Sequence, residues 1–91
     1  MSKPSDLELK IALAKAKSMK EHNEDEDYLA KTLLNHHYRL GYLEEVLKMA
    51  DRFMNHGMGD RERMGLLRSI EKAKQAEYRT ANEEHEDFGL E

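Results

Sequence analysis

The segment from Tyr42 to His56 has the clearest helical periodicity in the chain. On a wheel of 3.6 residues per turn, its apolar side chains fill one continuous arc of roughly 160°, and its other residues are polar. The apolar set is Tyr42, Leu43, Val46, Leu47, Met49, Ala50, Phe53 and Met54. Such a helix has to be covered along one whole side, so the segment predicts a helical bundle with this helix as its central scaffold.

The size of the chain limits the core that it can build. With 91 residues and no cysteine, it is expected to form one small domain without disulfides or thiolate zinc sites. Self-association is then the remaining means of support. There is no run of about 18 apolar residues and no signal-peptide core after residues 1–6, so we expect a cytoplasmic protein without a membrane span.

The formal net charge of −4 is unevenly distributed. Residues 80–91 contain no Lys or Arg, whereas residues 1–79 contain 14 acidic and 15 basic residues. The acids of the last segment are Glu83, Glu84, Glu86, Asp87 and Glu91. This division predicts a bundle domain over residues 1–79 and an acidic, flexible tail over residues 80–91, and it argues against a generally basic nucleic-acid binder. Leu90-Glu91 resembles a cloning remnant and is assigned no function.

Cap and turn residues divide the chain into helices. Ser5 and Glu8 have the spacing of a capping box, and Asn23 begins a second segment of that type. Gly41 is expected to stop a helix in the left-handed conformation, and Asp60 to cap the last helix. With one Val, two Ile and two Thr in the whole chain, a sheet is not expected. The fold class predicted is all-α, a small antiparallel bundle of three or four helices. The predicted helices span residues 6–22, 24–39, 42–56 and 61–82.

The first helix carries two apolar strips separated by charged residues. One strip is predicted to dock on the bundle and contains Leu9, Ala12, Leu13, Ala16 and Met19. The other consists of Leu7, Ile11 and Ala14. It either contacts the last helix or the tail, or it forms a dimer or partner interface, because a surplus apolar patch usually marks an interaction site.

Methionines surround the only loop that has two glycines. Met54, Met58 and Met64 could line an adaptable groove for a partner helix, or they could fill the core. The predicted apolar arc of the last helix is made of Met64, Leu66, Leu67, Ile70 and Ala73.

The last helix also carries a basic stripe, which lies within about 40° on the wheel. The stripe consists of Arg61, Arg68, Lys72 and Arg79. It is either a solvated face neutralised by nearby acids or a surface that follows phosphates.

No arrangement in the sequence indicates catalysis, a cofactor or a metal. His36 and His37 are adjacent and point about 100° apart on a helix, so they do not converge on one ion. Cysteine nucleophiles and a phosphate-binding glycine loop are both missing. We therefore expect a non-catalytic adaptor or regulator that binds protein and associates with itself, as a dimer, with a nucleic-acid-associated regulator using the basic stripe as the alternative.

Overall fold

The computed structural model describes the backbone of residues 1–89 and the side chains of residues 1–82. Within that range the chain forms three helices and no strand: α1 (Asp6–Glu21), α2 (Leu29–Asn55) and α3 (Asp60–Gly89). The all-α prediction is confirmed, and the packing of the helices supports a helical bundle. None of these described helices has the length and apolarity needed to cross a membrane. The side chains of the acidic tail from residue 83 onward, and Leu90-Glu91 entirely, lie outside the described residues.

Contacts divide the chain into two compact units, residues 1–37 and residues 38–91. The first unit contains α1 and the beginning of α2, and the second contains the remainder of α2 together with α3. Nothing in the sequence predicted a division at this point. The expected domain boundary between residues 79 and 80 stays a prediction, and the backbone of α3 continues as a helix past the predicted end near residue 82.

The start of α1 is the predicted capping box. The Ser5 hydroxyl accepts a hydrogen bond from the Glu8 amide at 3.1 Å, and the Glu8 carboxylate accepts one from the Ser5 amide at 2.8 Å. These two bonds satisfy amides that a helix start would otherwise leave without a partner. The Ser5 amide and hydroxyl also hold the pKa of Glu8 below its ordinary value.

Asn23 ends α1, and the prediction that it starts the next helix is wrong. Its backbone is left-handed, with a φ of 57°. The Asn23 amide donates to the Lys20 carbonyl at 3.2 Å, and the Glu24 amide donates to the Met19 carbonyl at 2.8 Å. This pair of bonds is the Schellman arrangement, in which asparagine tolerates the left-handed position better than most side chains.

Asp25, rather than Asn23, supports the start of α2. Its carboxylate accepts from the amides of Ala30 at 2.8 Å and Lys31 at 2.9 Å, which belong to the first turn of the helix. Tyr28 occupies the position before the helix, and its phenol cannot serve as a short capping acceptor. The hydrogen bond from the Ala30 amide is the main cause that lowers the pKa of Asp25.

Replacing Asp25 with alanine is therefore expected to lower the melting temperature at pH 7. Because the folded-state pKa of Asp25 lies below that of the unfolded chain, its stabilisation is present above about pH 4 and is lost as the pH falls through the folded-state value. Thermal melts between pH 2 and pH 7, followed by circular dichroism, should show the two proteins converging at low pH. Glu26→Ala is the matched control in the same loop, and an equal effect of both substitutions would contradict the assignment.

Gly41 lies inside α2, so the predicted helix stop at this position is wrong. The glycine with a positive φ, 120°, is Gly57, which follows the end of α2. Glycine permits the left-handed conformation but does not require it, and here the apolar pattern continues on both sides of Gly41. Predicted helices two and three are therefore one helix of 27 residues.

Small side chains form the buried positions of both units. The buried apolar residues in the described range are Ala16, Ala30, Ala73 and Ala76, and no large side chain is fully buried. In α3, Ser69, Ala73 and Ala76 follow one another at spacings of four and three, and the Ser69 hydroxyl donates to the Leu66 carbonyl at 2.7 Å. Small residues at a helix contact allow the two axes to approach closely, which explains why they are buried in preference to larger neighbours. Leu67, part of the predicted apolar arc of this helix, is exposed.

Candidate interaction surfaces

Only one side of the apolar arc of α2 is covered. On that side Tyr42, Val46, Met49 and Phe53 are half-buried. The Met49 sulfur would lie 3.5 Å from a Cβ placed on Gly65 of α3, so glycine at that position provides room for the thioether. Arg39 Nε donates to the Glu77 carboxylate at 2.8 Å, in a partly exposed ion pair. These contacts join α2 to α3 within the second unit.

The other side of the same arc is left exposed and, together with Leu40 just before the arc, forms what we call the α2 strip. Its side chains retain between 48% and 71% of their surface. The strip consists of Leu40, Leu43, Leu47 and Met54. Their spacings of three, four and seven are those of a heptad seam, which is the pattern of a helix that packs against another helix.

The sequence pattern placed the side chains of this strip in the core, so their exposure was not predicted. The 160° width of the arc was the available signal, because a single neighbouring helix covers a narrower stripe than that. The sequence could not show which part of the arc would be covered, since that depends on the position of α3.

The strips of α1 separate as the spacing predicted. Ala16 is buried, and Leu9, Ala12, Leu13 and Met19 are half-buried. The second strip, Leu7, Ile11 and Ala14, is exposed, with Leu7 at 67% and Ile11 at 62%. We call it the α1 strip. Its role as an interface stays a prediction.

Met58 and Met64 are both exposed, the first in the loop between α2 and α3 and the second in the first part of α3. Neither side chain therefore fills the core, which was the alternative to a partner groove. Their part in a partner groove stays a prediction.

The four residues of the basic stripe lie on one helix, α3, and all are exposed. The stripe consists of Arg61, Arg68, Lys72 and Arg79. On the helical wheel it lies roughly 90° from the buried row of Ser69, Ala73 and Ala76, so it borders that row. Whether it binds an acidic ligand stays a prediction.

The histidines of residues 1–82 lie apart from any cluster of possible metal ligands. His36 and His37 are exposed on α2, and Nδ1 of His22 donates to the Ser18 carbonyl at 2.8 Å. Within the described part of the chain, no group of three or more His, Asp or Glu side chains is arranged to hold a metal ion. The pocket at the loop between α1 and α2 is lined by Met19, Leu29 and residues 23–27, and one of its carboxylates, that of Asp25, already binds the first turn of α2.

Comparison of the chain with protein-family models, with curated proteins and with solved structures finds no match. The function proposed below therefore depends on the surfaces of this molecule alone.

Proposed function

We propose that this protein is a small non-catalytic helical adaptor or regulator that acts by binding protein, and that it associates with itself. The observation that carries the proposal is the exposed α2 strip, in a chain whose buried apolar side chains among residues 1–82 are all alanines. A contiguous apolar patch of this kind is typical of an interaction surface. The contacts from Arg39 to Glu77 and from Met49 to Gly65 further support an antiparallel arrangement of α2 and α3 within the second unit.

Covering the strips contributes favourable free energy to association. Burying a Leu or Met side chain completely contributes about 1.5–3 kcal/mol, and these side chains are roughly half exposed in the single chain. Covering the four side chains of the α2 strip therefore provides about 3–6 kcal/mol, and the α1 strip adds to it. The entropy lost on association costs about 4 kcal/mol or more and offsets much of that energy, so we expect a moderate affinity instead of a permanent complex.

Glutamate substitutions in the strips test the proposal. The wild-type protein is expected to sediment with at least twice the 10.7 kDa mass of the chain at micromolar concentration. Leu43→Glu with Leu47→Glu, and separately Ile11→Glu, should shift it to the monomer, because a charge cannot be buried at an apolar contact without a large cost. Sedimentation equilibrium measures the mass, and circular dichroism checks that the variants keep their helix content.

Tyr78→Glu provides the control, since Tyr78 is exposed on α3 and belongs to neither strip. It should leave the oligomeric state unchanged. A wild-type protein that is monomeric at all accessible concentrations and that binds no protein partner would refute the proposal. The nucleic-acid alternative keeps its own prediction, which is binding that weakens with salt and is lost on Arg68→Glu with Lys72→Glu.

A further inference from the structure

Beside each exposed strip lie two like charges seven residues apart, and the two pairs are opposite in sign; Asp6 and Glu21 flank the first pair, and Lys48 lies beside the second. Lys10 and Lys17 lie seven residues apart beside the α1 strip, and Glu44 and Asp51 lie seven residues apart beside the α2 strip. All four side chains are exposed. The Asp51 carboxylate also accepts a hydrogen bond from the Asn55 side chain at 2.6 Å, which leaves further acceptor positions on its oxygens.

The equal spacing means that both charge pairs can form in one helix contact. Seven residues correspond to about 10.5 Å along a helix, so Lys10 and Lys17 match Glu44 and Asp51 when the two strips face each other. When each helix is viewed along its axis from the N-terminus, the two lysines lie on one side of the α1 strip. The two acids lie on the other side of the α2 strip. Edges on opposite sides meet when the two helices pack in parallel. The charged pairs between neighbouring heptads of a parallel coiled coil form in this way.

We propose that the α1 strip of one copy packs in parallel against the α2 strip of a second copy. Ile11 then packs against Leu40 and Ala14 against Leu43. The charge pairs are diagonal, as in a parallel coiled coil, so Lys10 meets Glu44 and Lys17 meets Asp51, each five residues further along the partner helix. This inference rests on the proposed self-association and specifies its surfaces. In a dimer with two-fold symmetry the contact occurs twice, since each copy contributes one strip of each kind.

The loop between α1 and α2 rules out this pairing within a single chain. In the proposed register the end of α1 lies beside residue 50 of α2, about 31 Å along the axis from the beginning of α2 at Leu29. The chain from Glu21 to Leu29 can span at most about 29 Å when fully extended. The occupant of the α2 strip in this arrangement is therefore another copy.

A charge-reversal pair tests the inference. Variant one carries Lys10→Glu and Lys17→Glu, and variant two carries Glu44→Lys and Asp51→Lys. Each alone should self-associate at least tenfold more weakly than wild type, since its charge pairs become repulsive. An equimolar mixture should recover wild-type affinity, because the reversed α1 of variant one then meets the reversed α2 of variant two.

The control matched to variant one is Lys72→Glu with Arg79→Glu. It makes the same change in net charge as variant one, at the same spacing of seven residues, on α3. It should retain wild-type affinity within about twofold. Sedimentation of labelled and unlabelled chains measures homotypic and heterotypic association, and circular dichroism verifies folding.

Variants that associate like wild type, or a mixture that does not recover, would overturn the inference. If the glutamate substitutions in the strips still abolish association in either case, the proposed function stands and only the assigned pairing fails.

Discussion

Replacing Gly41 with proline is expected to lower the free energy of unfolding by about 3 kcal/mol or more. Gly41 lies in the interior of α2, where proline removes a backbone hydrogen bond and collides with the preceding turn. Replacing Gly41 with alanine should have the opposite effect and stabilise the protein by about 0.5–1 kcal/mol, because alanine is the better helix former. Apart from the adjoining backbone of α2 itself, no atom lies within 4 Å of a Cβ added at this position, so the alanine meets no steric obstacle.

Urea denaturation followed by circular dichroism measures both effects. Gly57→Ala is the control at the glycine that does have a positive φ, and it should destabilise the protein by about 1 kcal/mol. If alanine at position 41 were destabilising, α2 would have to break there, and the continuous helix would be incorrect.

Replacing Ala76 with leucine is expected to destabilise the protein by about 1–3 kcal/mol. Ala76 is 1% exposed in the row where α3 is buried, and three additional carbons have to displace the neighbouring helix or adopt a strained rotamer. The loss should appear in thermal or urea denaturation.

Ala81→Leu is the matched control, the same substitution at an exposed position of the same helix. It should change the stability by less than about 0.5 kcal/mol. Equal effects at the two positions would show that Ala76 does not lie in a tight contact.

The features that could be predicted from the sequence are those that depend on neighbouring residues in the chain. The capping box at Ser5 and Glu8 lies where the spacing placed it, and α1 ends within one residue of the expected position. Asn23 and Gly41 were assigned to the wrong roles because each residue type suits more than one local conformation. Asn23 serves as an N-cap or as a left-handed C-terminal residue, and glycine serves as a helix stop or as an ordinary helical residue.

The candidate site was predicted in part. The two strips of α1 are separated by their spacing, and the structure leaves Leu7 and Ile11 exposed. The α2 strip was not predicted, because apolar residues at helical spacing read as core until the neighbours of the helix are known. The complementary charges at Lys10 with Lys17 and at Glu44 with Asp51 become informative only after both strips are seen to be exposed.

The sequence by itself determined that the chain is helical, that α1 has two apolar strips and that the scaffold helix has an arc too wide for one neighbour. These properties follow from periodicity and from side-chain chemistry within a few turns. Only the tertiary structure decided that a row of small residues, Ser69, Ala73 and Ala76, forms the buried face of α3, and that Leu40, Leu43, Leu47 and Met54 remain outside. Burial is a property of the distance between two helices, and small side chains set that distance when they allow the axes to approach.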